Sequence, residues 1–149
     1  MKKNILITIL SVLGLVSCEN KSNNIQSETK NITIESEGVQ LIDYSIEAGD
    51  PSTKSIETGL QAAADTLSKI YSDVLKEHPK LTGNIRGAFH IESDGTVRSF
   101  MAKGSDFSLE AGKSVSSEFV GATFGKKYSF PKLGEDVLLK IDFQLNNNR

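Results

Sequence analysis

The sequence predicts an α+β fold of two layers: a small antiparallel sheet covered by two helices. Three observations carry that expectation. Asp94-Gly95 lies between two stretches in which apolar and polar residues alternate, the signature of a β-hairpin. Ile56, Leu60, Ala63, Leu67, Ile70, Tyr71, Val74 and Leu75 recur at spacings of three and four, which lays one apolar stripe along a helix. Val137, Leu139, Ile141, Phe143 and Leu145 alternate with mostly polar neighbours, which predicts a final strand.

Each element has its local signals. Between Asn31 and Glu47, Leu41, Asp43 and Ser45 alternate with Ile42, Tyr44 and Ile46, enough for one short strand. Asp50-Pro51 reads as a helix start, with Asp as N-cap and Pro at the first helical position. That helix should stop at His78, because the residue before Pro79 disfavours the α region. In the hairpin, Ile85, Gly87, Phe89 and Ile91 alternate with Arg86, Ala88, His90 and Glu92, and Val97, Ser99 and Met101 return. A second helix is expected from Ser108 to Thr123, with Leu109, Ala111 or Gly112, Val115, Phe119 and Val120 inward and Gly125 ending it. The last strand, Val137 to Leu145, turns Leu138, Lys140, Asp142 and Gln144 to its other face. The tail from Asn146 to Arg149 is expected to fray. Hairpin and last strand then form the sheet, and two helices cover its apolar face.

The chain opens MKKNILITILSVLGLVSC. Lys2 and Lys3 precede an apolar run from Ile5 to Val16, which is too short to span the roughly 30 Å hydrocarbon core. This has the form of an export signal. Its end, Leu15-Val16-Ser17-Cys18, resembles the bacterial lipobox, which implies cleavage after residue 17 and lipidation of Cys18. Cys18 is the only cysteine, so no internal disulfide is available to it. The expected organisation is a signal peptide over 1–17, a lipidated cysteine and flexible tether over 18–30, and a single domain over 31–149. The expected address is the bacterial cell envelope, on a membrane reached through the lipid. Removing Lys2 and Lys3 takes the formal charge from −2 to −4, which argues against nucleic acid as a partner.

Motifs with chemistry are weak. Gly121-Ala122-Thr123-Phe124-Gly125-Lys126-Lys127 has three residues between its glycines where a phosphate loop needs four, and Lys127 replaces the magnesium-binding Ser or Thr. No nucleotide is expected. Glu92-Ser93-Asp94-Gly95 lacks the spacing of a calcium loop. His78 and His90 are the only histidines, too few for a zinc site without scattered carboxylates. No G-x-S-x-G elbow or unassigned cysteine marks a nucleophile. The expectation is a protein that is not an enzyme and carries neither metal nor cofactor.

The stretch YSDVLKEHPKLTGNIRGAFHIESDGTVRSF, with the later YSFPK and the alternating last strand, resembles the AgmX/PglI C-terminal domain, a relative of the TonB C-terminal domain. Tyr71 matches the family's helix tyrosine. Pro79, Leu81 and Gly83 match its P-x-L-x-G run; Ile91, Asp94, Gly95 and Val97 match its I-x-x-D-G-x-V turn; Phe130-Pro131 matches its F-P. The resemblance covers about 54–145. Ile70 stands where related domains often carry a cysteine, and the Pro-rich spacer and transmembrane helix of full transducers are not found. The resemblance implies a TonB-like fold and a partner peptide received as an added strand at a sheet edge. The edge expected is the last strand, through Leu138, Lys140, Asp142 and Gln144; Lys140 and Asp142 are equally readable as charges guarding an edge. The expected activity is therefore protein interaction in the envelope. The rival is a periplasmic small-ligand-binding or hydrolytic lipoprotein, with a deep pocket between helix and sheet lined by Arg86, His90 or Glu92.

Overall fold

A computed structural model describes residues 33–147. The segments expected to be a signal peptide and a tether, with Cys18 between them, lie outside the described residues. The elements are β1 (Glu35–Ser36), β2 (Val39–Ala48), α1 (Thr53–Glu77), β3 (Gly83–Ile91), β4 (Val97–Ala102), β5 (Asp106–Phe107), α2 (Gly112–Phe124) and β6 (Val137–Leu145). The fold is α+β: an open sheet of six antiparallel strands and two helices. The strand order is β1-β2-β6-β3-β4, with β5 also paired to β3.

The sheet is larger than the hairpin-plus-one expected. The segment read as one short strand is a ten-residue β2 that pairs with β6 from Val39↔Leu145 to Ala48↔Leu138. A bulge explains why its pattern was hard to read. Leu41 pairs with Phe143 and Asp43 with Asp142, so Ile42 is the extra residue and is 54% exposed. A bulge advances the side-chain alternation by one residue. Val39 and Leu41 face the helices before it, and Tyr44 and Ile46 face them after it.

The helices follow their local chemistry with shifted ends. Ser52, extended at φ −62° and ψ 135°, caps α1 by accepting the Ser55 N–H at 3.3 Å. Asp50 is not the cap; its own N–H donates to Glu135 Oε1 at 2.9 Å. The far end is as expected, with the His78 N–H on the Val74 carbonyl at 2.9 Å. The second helix starts at Gly112 and not at Ser108. Residues 106–107 pair with β3, and the Ser108 N–H donates to the Thr82 carbonyl at 2.9 Å, which holds this stretch extended. Gly125 ends α2 with an ordinary φ of −74°, while Lys126 takes the left-handed conformation at φ 53°.

Both helices lie on one face of the sheet, where the core is largely aromatic. Phe89 meets Phe100 at 4.7 Å between ring centroids, and Phe119 stacks on Tyr128 at 5.8 Å. Phe130 meets Phe89 edge-on at 5.8 Å and lies against Gly59 of α1, where a Cβ would come within 1.9 Å of its ring. Gly95 carries φ +91°, and a Cβ there would stand 2.1 Å from the Phe130 carbonyl oxygen. The Phe130 N–H returns a hydrogen bond to the Gly95 carbonyl at 3.0 Å. Asp-Gly and Phe-Pro, distant in sequence, are thus one packing unit. The buried Tyr71 hydroxyl donates to the Leu81 carbonyl and ties α1 to the approach to β3. The tail is partly tied down: the Asn146 N–H donates to Gly38 at 2.9 Å, and Asn147 reaches the Pro79 carbonyl. Among the described residues, no helix is long and apolar enough to cross a membrane.

Candidate functional site

The face of the sheet away from the helices is where the charged strand residues gather. Strand alternation sends Leu138, Lys140, Asp142 and Gln144 of β6 there, because Val137, Leu139, Ile141, Phe143 and Leu145 are buried against the helices. The register adds neighbours in rows. Asp142 lies between Asp43 of β2 and Arg86 of β3. Lys140 lies between Ser45 and Ala88, and Ala88 is opposite Met101 of β4. Leu138 lies opposite His90, which is opposite Ser99.

Two ion pairs cross this face. Arg86 Nε stands 2.7 Å from Asp142 Oδ2, and Lys140 Nζ stands 3.0 Å from Glu47 Oε2. The hydrogen bond from Lys140, with a second from Ser45, holds the Glu47 carboxyl below its ordinary value. Asp142 Oδ1 is different. It is buried and has no hydrogen-bond partner among the described residues. Between these groups runs a shallow groove of about 650 Å³, lined by Asp43, Arg86, Ala88, Met101, Lys103 and Leu138, among others. A surface with a carbon floor and charged rims can bind, by apolar contact and by ion pairing.

The two residue sets expected from sequence therefore meet on one face, although neither site takes its expected form. The last strand is not an edge. β6 pairs with β2 along one side and with β3 along the other, so its backbone groups are committed and no partner strand can add to it. Leu138, Lys140 and Asp142 line the groove instead, and Gln144 lines a neighbouring hollow with Asn84 and Ile42. The expected pocket between helix and sheet does not take in Arg86 or His90: among the described residues aromatic side chains fill that layer, and Arg86 and His90 point the other way. Glu92 lies past the end of β3 and closes the turn, its N–H on the Thr96 carbonyl at 2.8 Å. Sequence reasoning missed Asp43, Met101 and Lys103. Asp43 had a visible signal as a polar member of an alternating run; only strand order brings Lys103 to the same groove.

Among the described residues the sheet is open on two sides: along β4, the last strand on its side, and along β2 beyond the two residues that pair with β1. The Lys103 N–H donates to the Arg86 carbonyl at 2.7 Å. Backbone groups alternate in an antiparallel ladder, so those of Phe100 and Ala102 turn outward. Beside the β4 edge, Ala102, Leu109, Lys113, Ser116 and Ser117 line a second groove of about 760 Å³ between β4, β5 and α2. Among the described residues, no three of His, Cys, Asp or Glu stand together as metal ligands. No family model, curated protein or solved structure matches this chain.

Proposed function

We propose that this chain is a lipid-anchored protein of the bacterial envelope, and that its domain, a variant of the TonB/AgmX type, receives a partner peptide as an added strand. The observation that carries the reading is the unpaired outer side of β4 with a groove running beside it. Strand addition needs those two features together: main-chain groups to supply affinity and side pockets to supply specificity. The edge is short, six residues, and Met101 on it is 70% exposed. The anchor rests on the sequence ending in Cys18, and its acyl chains would hold the domain close to the membrane.

The test is a photo-crosslinker placed at Met101 in cells, with Asp65 on α1 as the control site. A discrete product from Met101 alone is expected. Ala102→Pro removes an outward N–H without breaking a ladder bond and should abolish that product, whereas Ala102→Ser should preserve it. Equal loss from both variants, or equal retention, would sink strand addition at β4. Incorporation of a clickable fatty acid, lost in Cys18→Ser, checks the anchor separately.

A further inference from the structure

One row of the open face is charged from end to end. It runs from Asp43 on β2 through Asp142 on β6 and Arg86 on β3 to Lys103, just past the end of β4. The order is acid, acid, base, base. Only the middle two are joined, by a single bond from Arg86 Nε to Asp142 Oδ2. Among the described residues, the Asp43 carboxylate and the Lys103 ammonium have no hydrogen bond or ion pair, and the terminal nitrogens of Arg86 make none. Asp43 directly opposite Asp142 places like charges across one strand gap, which is unfavourable. Asp142 Oδ1 is buried with no donor among the described residues, which is unfavourable. The acidic end of the row thus attracts a cationic group, and the basic end an anion.

We infer that the groove binds a short zwitterionic peptide with both termini free. Its ammonium sits on the exposed Asp43 carboxylate, where the neighbouring charge of Asp142 adds to the attraction. Its carboxylate sits between Lys103 and the free nitrogens of Arg86. The length follows from the sheet. Neighbouring strands are about 4.8 Å apart, so three steps separate the backbones of Asp43 and Lys103 by roughly 14 Å. An extended peptide rises about 3.4 Å per residue, so a chain of three or four residues reaches between charged side chains at both ends. Ala88 and Met101, one row further along the strands, flank the path and favour small apolar side chains on the ligand. The peptide would lie across the strands, held by its ends, and this site is separate from strand addition at β4.

Amide NMR of the isotope-labelled protein, titrated with trialanine, tests the inference. Expected shifts fall on Asp43, Ala88, Met101, Lys103 and Asp142, and not on α2. Acetylating the amine or amidating the carboxylate should each weaken binding at least about tenfold, the effect of losing a hydrogen bond to a charged group. Free alanine, too short to touch both ends, should bind at least about tenfold more weakly than trialanine. Asp43→Asn and Lys103→Gln should show comparable losses, and Lys113→Gln, on α2, none. No shifts at the solubility limit of the peptide would overturn the proposal. So would equal binding of capped and free peptides, alanine binding as tightly as trialanine, or shifts confined to the groove beside α2.

Discussion

Gly95→Ala should destabilise the domain far more than Gly134→Ala, although both glycines have positive φ, +91° and +87°. The comparison separates backbone strain from packing. An alanine in the left-handed region costs about 1–2 kcal/mol, partly offset by the smaller conformational freedom of its unfolded chain. At Gly134 nothing lies within 4 Å of the added Cβ, so strain is the whole effect and the net loss is about 1 kcal/mol. At Gly95 the same strain applies, and the Cβ would also meet the carbonyl oxygens of Phe130 at 2.1 Å and Pro131 at 2.6 Å. Those are backbone atoms and cannot rotate away. The 130–131 segment must move, losing the Phe130-to-Gly95 hydrogen bond, roughly 1 kcal/mol, and loosening Phe130 from Gly59 and Phe89 for about another. The sum is about 3 kcal/mol, or roughly 10 °C in Tm for a domain of this size. Urea unfolding followed by circular dichroism measures both variants. Losses within about 0.5 kcal/mol of each other would refute the idea that the hairpin turn and Phe-Pro form one packing unit.

Further outcomes follow from the same geometry. Gly59→Ala should cost at least about 2 kcal/mol, because its Cβ overlaps the Phe130 ring, and Phe130→Leu in the same chain should recover part of that loss; thermal melts of the single and double variants check this. Tyr71→Phe removes the buried hydroxyl that serves the Leu81 carbonyl and should cost about 1–2 kcal/mol in urea unfolding. Asp94 accepts the Thr96 N–H at 2.8 Å, and that backbone hydrogen bond holds its carboxyl below the ordinary 3.8. Its contribution is complete above that value and is lost as pH falls through the lower folded one. Asp94→Asn should therefore flatten stability against pH in that acid range, measured by urea midpoints. Burial pushes the Tyr128 hydroxyl well above its ordinary 10.0, against the opposing effect of its bond with Thr123. Its contribution is complete below pH 10 and fades above it, where the unfolded chain ionises first. Tyr128→Phe should reduce that alkaline loss.

Much of the fold was legible because its signals are local. A hairpin announces itself in Asp94-Gly95 and the alternation around it, and α1 in its apolar stripe and in Pro79 beyond its end. β6 was predicted at its observed ends, Val137 and Leu145, because nothing interrupts its alternation. β2 was underestimated because the bulge at Ile42 breaks the alternation that a reader of strands relies on. The start of α2 was placed too early because Ser108 and Leu109 continue a helical pattern, while pairing with β3 and Thr82, both remote in sequence, holds residues 106–108 extended.

The candidate site divides in the same way. From the sequence alone it followed that Leu138, Lys140, Asp142 and Gln144 share a face, as do Arg86 and His90, because alternation is a property of each strand by itself. The sequence also supplied the charge signs that make a groove for a zwitterion conceivable. Only the tertiary structure decided that the two faces are one, that Asp43 and Lys103 complete the row, and that β4 lies at an edge while β6 lies inside the sheet. The physical reason is that alternation reports which side of a sheet a residue faces and is silent about which strands flank it. A strand buried on one face shows the same pattern at the margin as in the middle. Its place is set by hydrogen-bond pairing between segments far apart in the chain, here β2 and β3 on either side of β6.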